Sequence, residues 1–104
     1  MSLISETQHV FVVDLEYLVP LEKVEPHLEA HRNFLKENYA ANNFLMSGAK
    51  VPRTGGVIIA VSDSRTKLEN ILKEDPFSQH GLARYTITEF LPAMTADGLS
   101  QDRA

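Results

Sequence analysis

The 104-residue sequence contains no cysteine and no tryptophan. Without cysteine, disulfides and thiolate metal sites are excluded outright. Positive charge is also scarce. Ten Lys and Arg are scattered among fourteen Asp and Glu, giving a formal net charge of −4. A nucleic-acid-binding surface needs clustered cations to neutralise phosphates, so the expectation is no nucleic acid. The longest apolar run, Val57 to Val61, is far short of the roughly 20 residues that span a bilayer. Residues 1–8 carry neither a basic segment nor an apolar one of the kind that directs secretion. No membrane association is expected, and the expected location is cytoplasmic.

What is present suits one folded domain. Hydrophobic residues make up 43% and charged residues 23% of the chain, an ordinary globular balance in a length that holds one core. The domain is expected over residues 1–94. Residues 95–104 follow Pro92 and have few apolar side chains, which predicts a flexible tail or an arm that orders on a partner.

His9 to Leu15 is β-branched and aromatic, the pattern of a strand. From Leu21 to about Asn42 the period changes: Val24, Leu28, His31 and Leu35 form one helical stripe. Pro26 stands near the start of this helix, where a missing N–H costs least. Phe44 to Ser47 is a short strand closing on Gly48, and Gly56 to Val61 is a second apolar strand. Ser62, Asp63 and Ser64 offer N-caps to a shorter helix carrying Leu68, Ile71 and Leu72. That helix must stop before Asp75-Pro76, and residues 83–91 supply the last strand. The order β-α-β-β-α-β predicts an α+β, ferredoxin-like fold: a four-stranded antiparallel sheet with two helices on one face. The central strands are apolar on both faces, and two helices cover one. The bare face is either broken up by Asp14, Thr86 and Thr88 or covered by a second copy, and the expectation is the latter, a homodimer or higher homo-oligomer.

Among residues with chemistry, His31 stands where Leu or Ile is expected, which turns its imidazole inward. It is either a satisfied core histidine or a proton-transfer group. His27, four residues earlier, would make a metal pair with it, but no third ligand follows at a suitable spacing, so no metal site is expected. Asp75 before Pro76 is either a helix stop or a carboxylate that orients a histidine. Spacing alone does not join it to His31. Arg53, in the Pro-Arg-Thr-Gly-Gly turn, is either solvated or an anion ligand assisted by the adjacent glycine amides. Ser47 is either an ordinary strand-end serine or a hydrogen-bonding group in a pocket. No Walker, dinucleotide or Gly-x-Ser-x-Gly pattern occurs, and no cofactor is expected.

These segments, in this order, resemble the YciI-like (YCII-related) family. The pieces are Ala30-His31-Arg32-Asn33-Phe34-Leu35, Phe44-Leu45-Met46-Ser47-Gly48, Pro52-Arg53-Thr54-Gly55-Gly56-Val57-Ile58, Glu74-Asp75-Pro76-Phe77, Gly81-Leu82-Ala83, and Tyr85 to Phe90. The likeness spans about residues 8–92. It implies a dimeric α+β barrel built on a ferredoxin-like protomer, with His31 and Asp75 as an active-site pair in a pocket between helix and sheet. A few relatives act as dehydrochlorinases on chlorinated hydroxyquinones, and related barrels include muconolactone isomerases and monooxygenases. Ala49-Lys50 stands where many relatives have Gly-Pro, a difference at the expected pocket rim. The function this implies is cofactor-independent proton transfer, of lyase or isomerase type, on a small cyclic or aromatic polar molecule. His31 and Asp75 would be the catalytic pair, with Arg53 and Ser47 binding the substrate. The alternative is a non-catalytic small-ligand-binding or stress-associated module in which the same pair is structural.

Overall fold

The structure is a computed structural model that describes residues 3–99. The C-terminal residues 100–104 of the expected tail lie outside the described residues. Strand β1 (His9–Tyr17) runs through the middle of a four-stranded sheet of order β2-β3-β1-β4. β2 covers Phe44–Ala49, β3 Gly55–Ser62 and β4 Ala83–Phe90. Every neighbouring pair is antiparallel, with β1 registered from His9 opposite Ser62 to Glu16 opposite Gly55 on one side. On the other side it runs from Val10 opposite Phe90 to Tyr17 opposite Ala83. This is an α+β, ferredoxin-like topology. Period-two alternation sends Phe11, Val13 and Leu15 into the main core, where they meet Ile58, Ala60 and Phe44 from the neighbouring strands.

The first helical region differs from the continuous helix that the stripe predicts. It is a short α1 (Leu21–Val24), a 3-10 turn over Glu25–His27, and then α2 (Leu28–Ala40). The cause is Pro26, which has no N–H to give the preceding turn and forces the chain to tighten before the helix restarts. The restart also moves the buried stripe. Phe34 and Asn38 are the buried residues of α2, with His31 and Leu35 partly covered beside them. Asn38 meets its polar needs locally: its Nδ2 donates to the Phe34 carbonyl at 2.9 Å, and its Oδ1 accepts from Asn43 Nδ2 at 2.9 Å. Asn42 adopts φ 61°, the left-handed conformation that ends a helix.

Helix α3 (Arg65–Leu72) starts at Ser64, whose hydroxyl accepts from the Lys67 N–H. It buries Leu68 and Leu72 against the sheet. The Asp-Pro pair does more than stop it. Asp75 caps a further short helix, α4 (Pro76–Gln79), with Pro76 in the first turn. Among the described residues, no helix is long and apolar enough to cross a membrane.

The face of the sheet away from the helices is not wholly bare. At one end Ile4, Val10 and Val61 are buried together, with Leu45, Ile59 and Leu99 packed against them. The Ile4 N–H donates to the Leu99 carbonyl at 2.7 Å, so segments from both ends of the described chain cross this part of the face. Elsewhere the face presents Val12, Thr86 and Thr88, and Lys50 Nζ pairs with Asp14.

Two glycines separate sterically. A Cβ on Gly55 would lie 1.7 Å from the Leu15 carbonyl oxygen, whereas one on Gly48 meets nothing within 4 Å. Gly55→Ala is therefore expected to lower unfolding stability by about 3 kcal/mol or more through overpacking. Gly48→Ala should stay within about 0.5 kcal/mol of the parent. Denaturant melts of the two variants check the pair.

Candidate functional site

Asp75 is the least accessible charged side chain among the described residues, with a side-chain exposure of 0%. Three elements converge on it. From α2, His31 Nδ1 lies 2.7 Å from Oδ1. From α4, the Phe77 N–H donates to the same oxygen at 3.1 Å. From β4, the Tyr85 hydroxyl donates to Oδ2 at 2.5 Å. Burying a carboxylate is costly unless its oxygens are bonded. Here both are, and among the described residues no buried side-chain polar atom lacks a partner.

This arrangement fixes the imidazole in every respect that matters. A carboxylate oxygen accepts, so Nδ1 carries a proton, and in the neutral ring the lone pair is on Nε2. The Phe77 ring lies flat on the imidazole, with centroids 3.9 Å apart and planes 2° from parallel. Tyr17 meets Phe77 edge-on at 6.1 Å. The Asp-Pro-Phe segment thus holds the edge of the ring with Asp75 and its face with Phe77. His31 is 12% exposed, and its bond to Asp75 is the ring's sole hydrogen bond among the described residues.

The exposed part of the ring borders a cavity of about 330 Å³ between α2 and the β2–β3 end of the sheet. Leu15, Leu28, Leu35, Ile58 and Phe77 make its apolar wall, and Ser47, Arg53 and Arg32 add polar groups. The space exists because the strand positions beside Leu15 carry little side chain. Gly56 lies opposite Leu15 in one register and opposite Ala49 in the next, and Ser47 lies opposite Ile58.

All four residues singled out from the sequence fall in or against this site. His31, Ser47 and Arg53 line the cavity, and Asp75 stands directly behind His31. The Ser47 hydroxyl is 2.5 Å from the Tyr39 hydroxyl, which fixes its position on the wall. The glycines after Arg53 are strand residues paired in the sheet. Their missing side chains serve close strand contact and cavity space. The His27 ring packs on His80, with centroids 4.3 Å apart. Among the described residues, no group of three His, Asp or Glu is placed to hold a metal.

Two contributors have no distinct sequence signature. Tyr85 is one ordinary aromatic in a β pattern, and Arg32 is one ordinary charge on a helix. Phe77 had a usable clue: Asp followed by Pro and a large apolar residue is the start of a capped helical turn.

The sequence matches the model of the YCII-related domain over residues 7–91. The chain belongs to the YCII-related family. No curated protein sequence matches this YCII-related chain. Among solved structures it is similar to 5-chloro-2-hydroxyhydroquinone dehydrochlorinase (TftG) from Burkholderia phenoliruptrix AC1100, in complex with 2,5-dihydroxybenzoquinone. The TM-score is 0.68 at 17% identity, covering 78% of this chain and 92% of that one. It is also similar to SnoaB, a cofactor-independent oxygenase from Streptomyces nogalater, with a TM-score of 0.50 at 14% identity, covering 88% and 98%. At these identities the likeness is one of fold.

Tyr85 carries a pH signature. Burial, then the adjacent Asp75 charge and the hydrogen bond to it, push its pKa far above the ordinary tyrosine value of 10.0. The folded protein therefore keeps this phenol proton when the unfolded chain has released it. Above pH 10 the folded state binds more protons, so stability present below that pH declines as pH rises. Tyr85→Phe should cost about 1–3 kcal/mol at neutral pH by leaving Oδ2 without its donor. It should also flatten the alkaline decline by up to about 1.4 kcal/mol per pH unit. Urea melts of parent and variant from pH 7 to 11.5 check both, and parallel alkaline slopes would count against the Tyr85 assignment.

Proposed function

We propose that this YCII-related protein is a cofactor-independent enzyme that moves a proton on a small cyclic or aromatic polar molecule bound in the cavity. The observation that carries the reading is the imidazole held by Asp75 on one edge and bordering an apolar cavity. With Nδ1 engaged, Nε2 is the nitrogen that takes a proton from a ring carbon or hydroxyl and returns it elsewhere on the molecule. Asp75 holds the tautomer and balances the charge the ring gains. Ser47 supplies a hydrogen bond to a substrate oxygen, and Arg53 an attraction for an anionic substituent. A volume near the lower end of ligand pockets suits a single ring. The fold likeness to a dehydrochlorinase and a cofactor-independent oxygenase supports small-molecule chemistry, and lyase or isomerase action is the form these residues can carry.

Deuterium exchange in D2O, followed by NMR, tests this. The protein should accelerate exchange of the ring protons of hydroxylated benzoquinones. His31→Ala should lower that rate by about two to four orders of magnitude, with far-UV circular dichroism unchanged. Full exchange activity in the folded variant would end the proposal.

One observation favours a second reading, a non-catalytic binding module. The Asp75 carboxylate is saturated by groups from α2, α4 and β4 without any ligand, as a structural fastening would be. Under that reading ligands bind, yet no ring proton exchanges in the parent protein.

The assembly we propose is a homodimer through the open sheet face, in the cytoplasm. Val12 sits on that face beside Ile59, which packs at the edge of the part that Ile4 and Leu99 cross. Thr86 and Thr88 extend it on β4. A second copy laying its sheet there would remove this surface from water. Val12→Asp should shift the protein from dimer to monomer in light scattering, and a parent that is already monomeric at high micromolar concentration would refute the assembly.

A further inference from the structure

We propose that the cavity selects ring compounds bearing a carboxylate, gripped at the mouth by Arg32 together with Arg53. The inference rests on the cavity being a substrate site, and it adds the class of molecule the site takes.

Four arginines lie among the described residues. Arg65 pairs with Glu69 at 3.7 Å and Arg84 with Glu16 at 3.8 Å. Arg32 and Arg53 make no ion pair or side-chain hydrogen bond among the described residues, and both line the same cavity. They reach it from different walls. Arg32 follows His31 on α2, and Arg53 belongs to the connection between β2 and β3. In a chain of net charge −4, two uncompensated guanidinium groups at one opening form a local attractor for anions. Arg53 also borders a neighbouring hollow with Glu16, Tyr17 and Thr54, but the Glu16 carboxylate is directed to Arg84.

The chemistry favours a carboxylate on a ring. A guanidinium is a planar fork that matches a planar carboxylate through paired N–H bonds. Behind the arginines the wall is apolar, formed by Leu15, Leu28, Leu35 and Ile58, which suits a hydrocarbon ring. His31 borders the same space. One molecule can therefore present its carboxylate to the mouth and its ring to the imidazole.

Paired probes on the full chain test this. Each pair shares a ring and differs by a carboxylate: 2,5-dihydroxybenzoate against hydroquinone, and 4-hydroxybenzoate against phenol. Calorimetry gives affinities, while NMR follows the arginine Nε–H and His31 ring signals. The acid of each pair should bind about tenfold or more tightly than its neutral partner. Arg32→Gln and Arg53→Gln should each remove much of that preference and leave neutral-ring binding unchanged, and the double variant should abolish it. Both side chains are solvent-facing, and unaltered thermal melts will verify folding.

Equal affinity for acid and neutral ring, or a preference that survives the double variant, overturns the inference. If both rings bind equally and shift His31, the carboxylate grip fails while the substrate site stands. If no probe perturbs His31 or either arginine, the inference falls and the substrate site loses its support with it.

Discussion

The buried carboxylate of Asp75 is the constraint on which this site depends. A charge at 0% exposure is tolerated only where the surrounding elements bring donors to it. Here an imidazole, a backbone amide and a phenol do so from α2, α4 and β4. Each donor also orders its own element. The amide belongs to the first turn of α4, so capping that helix and bonding the histidine use the same oxygen. The phenol ties β4 to the helical layer. The imidazole fixes the rotation of α2, which otherwise rests on Phe34 and Asn38. Stability and the proposed chemistry thus draw on one residue, and the site cannot be separated from the packing of the helices onto the sheet.

Space for a ligand comes from the opposite effect, the absence of side chains. The sheet needs bulk at Leu15 and Ile58 to fill the core, yet Gly56, Ala49 and Ser47 around them leave room near the β2–β3 end. Gly55 beside them is constrained for another reason, because the Leu15 carbonyl occupies the place of its Cβ. Glycines adjacent in sequence therefore answer to different demands: one to strand contact, the other to cavity shape.

The strands and the overall topology are legible in the sequence because β-branched runs, turn residues and the two helical periods agree with one another. His31 is legible because it interrupts an apolar stripe. Its link to Asp75 across 44 residues is invisible to spacing and emerges only when α4 turns back toward α2. The break at Pro26 departs from the expectation of a proline near the helix start. The proline stands too deep in the pattern for a first-turn residue, and the helix restarts after it. Tyr85 is illegible for a more general reason. Alternation tells which strand residues face inward, but which hydroxyl meets which carboxylate depends on the register of β4 on β1 and on the path of a four-residue helix. Arg32 is hidden similarly, since a solvated helix charge and a cavity-mouth charge look alike until the opposing wall is in place.

Strand β1 connects the two faces of the sheet. Leu15 contributes to the cavity wall, while Val12 and Asp14 on the same strand point to the opposite face. The strand is stiff, paired along nearly its whole length on both sides. A partner seated on the outer face would therefore bear on the strands that form the cavity wall. Rigid sheets transmit such support without large movement because close-packed interiors resist deformation. In the proposed dimer the open face would thus have a role beyond assembly: a second copy on it would also brace the wall against which a ring would rest. Placing His31 on the helix and the cavity wall on the sheet makes the distance between them a property of the whole layer packing, which is why a fold this small can hold a defined site.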